Sequence, residues 1–152
     1  MSSLLNEALS VVRKMKWQNF ELLVAEGFRL QGFSVTGFAA PGAPNDSDIM
    51  LVKGQKKFCV QCRDWQVDKV GLAPVEMLCD AMARSNADGG FVVTTGEVSE
   101  EAAALAGARK IQFVRGPSLL ALLEKAKETI TTGVPAHFQW NTDRPSSFRN
   151  TG

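Results

Sequence analysis

The strongest constraint on this chain is a pair of short apolar segments, Asp48-Ile49-Met50-Leu51-Val52 and Phe58-Cys59-Val60-Gln61-Cys62, joined by Lys53-Gly54-Gln55-Lys56-Lys57. They read as the two strands of a β-hairpin. Side chains alternate between the faces of a strand. Gln61 and Arg63 therefore point one way, and Cys62 points the other way, into the core. Across the hairpin, Asp48 comes to lie opposite Gln61 and Arg63. A carboxylate, an amide oxygen and a cation then converge on one patch, which suits a divalent metal and a scissile phosphate. The carbonyl oxygen of Cys62 is an additional candidate ligand.

Around this hairpin the chain reads as alternating elements. Leu4, Leu5, Ala8, Leu9, Val12 and Met15 recur at helical spacing, giving an amphipathic helix in residues 1–15. This helix has two candidate partners, its own domain or a second copy of it in a homodimer. A second helix over residues 16–31 carries the stripe Trp17, Phe20, Leu23, Val24, Gly27 and Phe28, and Gly32 stops it. On its wheel Glu21 borders the stripe, whereas Glu26 falls on the far side, in solvent. A strand over residues 33–38 and a Pro/Gly loop precede the hairpin. Pro74 opens a third helix, and Phe91-Val92-Val93-Thr94-Thr95 reads as a strand buried on both faces. Ser99 caps an alanine-rich helix, Ile111-Gln112-Phe113-Val114 is a last strand, and Pro117 starts a final helix to about residue 128. Antiparallel strands followed by alternation predict an α/β fold, a central mixed sheet with helices on both faces. The main domain spans residues 16–130, and residues 131–152 lack periodicity and read as an extended or disordered tail.

A chain of 152 residues suits one such domain. No apolar run approaches the roughly 20 residues that span a bilayer and no secretory signal is visible, so a cytoplasmic protein without a membrane partner is expected. The three cysteines include a formal C-x-x-C, Cys59 to Cys62. Strand positions three apart face opposite sides, so these two thiols cannot share a zinc ion, and buried free thiols are expected instead. A net charge of +1 gives no long-range attraction to nucleic acid. Locally, Lys53, Lys56, Lys57, Arg63 and Lys69 gather on the hairpin region, offset by Asp64 and Asp68. They form either a DNA-binding patch or the guarded edge of a hairpin.

Five segments in order resemble the Mrr-type restriction endonuclease domain, a branch of the PD-(D/E)xK nucleases. The helix pattern W-x-x-F-E-x-L-V-A-E-x-F-R-x-Q-G-F is met by residues 17–33. Asp48 matches the aspartate at a strand start. Val60-Gln61-Cys62-Arg63-Asp64-Trp65 matches V-Q-C-K-x-W, Val70-Gly71 matches a following Val-Gly, and Val93-Thr94-Thr95-Gly96 matches V-T-T-G. The resemblance covers residues 17–123. It implies a restriction endonuclease-like fold and Mg²⁺-dependent hydrolysis of DNA, including modified foreign DNA.

The resemblance implies a catalytic set of Asp48, Gln61, Arg63 and Glu21, with metal ligands drawn from Asp48, Gln61 and Cys62. Each has a plain alternative. Asp48 follows Asp46 and Ser47, which is turn chemistry. Gln61 supplies a neutral oxygen where many related nucleases have glutamate, and this weakens metal binding. Glu21 is either a site residue or a flank of its stripe. Arg63 stands where the family has lysine. It can clamp a phosphate but cannot act as a base, and it can instead pair with Asp48 in place of a metal. Thr95, after Thr94, is a candidate DNA contact at a strand's carboxyl end or a cap for the next turn. Trp65 either stacks on a base or packs under a loop. The alternative function is a degenerate nuclease domain that binds DNA or a protein partner without cutting.

Overall fold

The computed structural model describes residues 2–38, 49–62 and 66–131. The elements are α1 (Ser2–Arg13), α2 (Trp17–Leu30), β1 (Ser34–Phe38), β2 (Ile49–Lys53), β3 (Lys56–Gln61), β4 (Lys69–Val70), α3 (Leu72–Ser85), β5 (Gly89–Val93), β6 (Glu97–Val98), α4 (Glu100–Ala108), β7 (Ile111–Val114) and α5 (Pro117–Thr131). Among the described residues a five-stranded sheet has the order β1-β2-β3-β5-β7. The first three strands are antiparallel, and β3, β5 and β7 run parallel. This is the mixed α/β sheet that the order of elements predicts. The hairpin closes more tightly than a five-residue linker suggests, because Lys53 pairs with Lys56 and leaves only Gly54 and Gln55 in the turn.

The pleat sorts the core into two layers. Phe20, Val24 and Phe28 of α2 and Leu119 and Leu122 of α5 bury against Ile49, Leu51, Val60 and Val93 on one face. Val75, Leu78 and Met82 of α3 and Ala102 and Ala106 of α4 bury against Cys59, Val92 and Ile111 on the other. Cys59 and Cys62 thus fall in opposite layers, as expected for positions three apart. All three cysteines are free. Burial pushes the Cys79 thiol up, away from the reactive thiolate. Helix α1 docks on its own domain, with Val12 buried in the first layer and Leu9 and Met15 against it, while Leu4 and Val11 face solvent. No described helix is long and apolar enough to cross a membrane.

Helix α2 departs from the single-stripe reading. Its residues 24–28 are all buried, because α5 packs against it while another side covers the sheet. A Cβ on Gly27 would lie 2.5 Å from Leu122 Cγ, so glycine is what lets the two helices approach. The placement of Glu26 in solvent is therefore wrong. Glu26 is 0% exposed and accepts two hydrogen bonds at 2.9 Å from Arg29 Nε and Nη2. Donating to the Glu26 carboxylate raises the Arg29 guanidinium above the ordinary arginine range. Removing one partner of a buried pair strands the other charge. Arg29→Ala should thus cost about 2–3 kcal/mol, somewhat less than a fully buried pair because the guanidinium is partly exposed. An unchanged urea midpoint would contradict this.

Candidate active site

The parallel strands β3, β5 and β7 end on one edge of the sheet, where α/β proteins place their ligands. Gln61 closes β3 there, is 2% exposed and sits in register with Val92 of β5. Since Val60 and Cys62 belong to the α2/α5 layer, the pleat turns Gln61 to the side of Cys59, toward α3. The expected inward Cys62 and oppositely directed Gln61 are thus both present. The hairpin register on which the three-residue cluster depends is also present, with Ile49 opposite Val60. Asp48, one residue before Ile49, and Arg63, one residue after Cys62, lie outside the described residues, as do Asp46, Asp64 and Trp65.

Glu21 is 3% exposed, so its place at the border of the stripe becomes full burial. It belongs to α2, on the opposite face of the sheet from the Gln61 side chain. Among the described residues no group of three or more His, Cys, Asp or Glu gathers as a metal cluster.

The two threonines that follow β5 both have hydrogen-bond partners within the fold. The Thr94 backbone N–H donates to the Val114 carbonyl, extending the ladder with β7 by one residue. Its hydroxyl accepts from the Gly96 N–H at 3.0 Å, which is the turn-capping role. Thr95 is 6% exposed and its Oγ1 accepts from Arg13 Nε at 2.8 Å. Through this bond Arg13, which the sequence did not single out, joins Thr95 at the end of β5. Arg13 is one cation at the end of an amphipathic helix, and its partners lie 54 to 82 residues away, beyond any local signal.

The lysines do not form one patch with Gln61. Lys53, Lys56 and Lys57 stand at the hairpin turn, at the amino end of β3. Five strand residues at roughly 3.3 Å each put that turn about 17 Å from Gln61. Lys53 Nζ donates to the Gln31 carbonyl at 3.2 Å and lies 4.8 Å from the Phe33 ring centre. Lys57 Nζ donates to the Ser85 carbonyl. Lys56 is exposed at the turn, and Lys69, in β4 opposite Glu97, sits nearer the carboxyl edge. Lys53, Lys56 and Lys57 thus share the turn end of the hairpin, one strand length away from Gln61.

The restriction endonuclease family model Mrr_cat matches residues 12–123, most of the chain. The chain belongs to the Mrr-type restriction endonuclease family. A similar fold is found in the crystal structure of a protein of unknown function, AF1548. That structure aligns at a TM-score of 0.56 with 16% identity, over 73% of this chain and 67% of that one. A likeness of that level bears on the fold alone. Among curated proteins no sequence matches this chain. Within the Mrr-type domain, β2 and β3 form a hairpin, and Gln61 is a buried polar residue at its carboxyl edge.

Proposed function

We propose that this Mrr-type domain hydrolyses DNA phosphodiester bonds with a divalent cation at the carboxyl edge of β3, in the cytoplasm. The observation that carries the reading is Gln61, a buried amide ending the central strand of an Mrr-type sheet. The donors proposed for the cation are the Gln61 amide oxygen, the Cys62 carbonyl and the Asp48 carboxylate, with Glu21 reaching from α2. All are hard oxygens, and the Cys62 thiol is turned into the core, so the set fits Mg²⁺ rather than a soft metal. When bound, the cation polarises the scissile phosphate and acidifies a water molecule. Arg63 holds a phosphate by two parallel hydrogen bonds and stays protonated throughout. Free cysteines fit a reducing compartment.

A second reading is favoured by Arg63 itself, which stands where the family carries lysine. In that reading Arg63 pairs with Asp48, and the domain binds DNA or a protein partner without cutting. Nicking of supercoiled plasmid by Arg63→Lys in Mg²⁺ or Mn²⁺, lost in chelator, supports the first reading, and any such nicking by the unaltered protein excludes the second.

DNA binding is expected in either DNA reading, weak and indifferent to sequence. With Lys53 and Lys57 engaged by backbone carbonyls, two or three phosphates are contacted at once. The log–log slope of affinity on salt should then lie at about −2 to −3. Lys56→Glu should reduce its magnitude by about 1. Titration of labelled duplex at two salt concentrations measures this. No binding at low salt would favour the protein-partner reading.

A further inference from the structure

We propose that Arg13 is a positioning residue for the carboxyl edge, a latch that holds the segment 66–70 against the end of β5. The proposal rests on the nuclease reading only for its catalytic consequence. One guanidinium makes three bonds to two separate parts of the fold. Nε donates to Thr95 Oγ1 at 2.8 Å, Nη1 to Asp68 Oδ1 at 2.9 Å and Nη2 to the Val67 carbonyl at 3.4 Å. The Gln66 side-chain amide donates back to the Arg13 carbonyl. The segment so held rejoins Cys62 at the end of β3 across only three residues, 63–65. Arg13 also lines a groove of about 590 Å³ with Lys69, Thr95, Gly96 and Arg115, at the carboxyl ends of β5 and β7.

This arrangement is built for orientation rather than for holding the fold together. The neighbouring Val12 already anchors the end of α1 in the core. Residues 68–70 are separately tied by Glu97 N–H to the Asp68 carbonyl at 2.8 Å and Ser99 N–H to the Val70 carbonyl at 2.9 Å. Asp68 is 94% exposed, so its ion pair alone contributes little. What Arg13 adds is a planar fork fixing two elements at one angle, which a lysine, with a single point of attachment, does not reproduce.

The test uses the full chain with Arg13→Met, which keeps the stem and removes the donors, beside Arg13→Lys and Asp68→Ala. Hydrogen exchange is followed at the amides of residues 66–68, and nicking kinetics are measured with each change placed on Arg63→Lys. In Arg13→Met, exchange at 66–68 should rise roughly tenfold while the amides of Leu51 and Val92 stay as they were. kcat should fall roughly tenfold with KM within about a factor of two. Arg13→Lys should recover part of both, and Asp68→Ala should move both the same way by a smaller factor. Unchanged exchange at 66–68 overturns the latch, and so does raised exchange with an unchanged kcat. If no variant nicks DNA under any condition, the nuclease reading falls and the exchange ratio alone decides the latch.

Discussion

Replacing Gly96 by alanine is expected to destabilise the domain by about 3 kcal/mol, at the upper end of overpacking effects. A Cβ at this position would stand 2.3 Å from the Val67 carbonyl oxygen, 2.5 Å from that of Asp68 and 2.6 Å from the Asp68 carbonyl carbon. These are backbone atoms, and they cannot swing aside as the end of a side chain can. They are also held in place, since the Asp68 carbonyl accepts from Glu97 N–H and the Val67 carbonyl from Arg13. Relief requires pulling apart the small parallel sheet of β4 and β6. The melting temperature should drop by roughly 10 °C for a domain of this size. Gly107→Ala is the control. It lies within α4 with nothing within 4 Å of an added Cβ, so the substitution should leave stability unchanged or raise it by up to about 1 kcal/mol. Equal melting temperatures for Gly96→Ala and the unaltered protein would refute the close approach.

The unaltered protein should cut DNA weakly or not detectably, and Arg63→Lys should raise the rate by about a hundredfold or more. Both side chains can neutralise charge on the phosphate. Only lysine can lose its proton near neutral pH and accept one from the attacking water, since arginine stays charged in proteins. The sign of the pH dependence follows. The base is the neutral amine, so the Arg63→Lys rate should climb as pH rises toward the lysine pKa and fall on acidification. Initial nicking rates across a pH series measure this. Robust Mg²⁺-dependent cutting by the unaltered protein, diminished by Arg63→Lys, would show that arginine is the working residue here.

The parts of this fold that were legible in the sequence are those with a local cause. Alternation in β3 placed Cys62 in the core, and Ser99 capped α4 by accepting from the Ala102 N–H at 3.1 Å. The run from Phe91 marked a strand buried between two layers. What escaped has non-local causes. Two-residue strands such as β4 and β6 are too short to show periodicity, and they exist because Gly96 lets two loops touch. Pro74 predicts a helix start two residues too late, since α3 begins at Leu72 with Gly71 as its N-cap. Glu26 was misplaced because a wheel assumes one buried face, and α2 has two neighbours. Of the site, Gln61 and the hairpin register were readable from alternation. Arg13 was not, because its importance lies in the distant Thr95 and Asp68.

The proposed metal-dependent hydrolysis at the hairpin of β2 and β3 can be checked with supercoiled plasmid incubated with Arg63→Lys and with the double variant Asp48→Ala/Arg63→Lys, in Mg²⁺, in Mn²⁺ and in chelator. Arg63→Lys should nick in either metal, with no nicking in chelator and none by the double variant. Nicking that survives both the chelator and Asp48→Ala, or none from Arg63→Lys in either metal, would contradict the proposal.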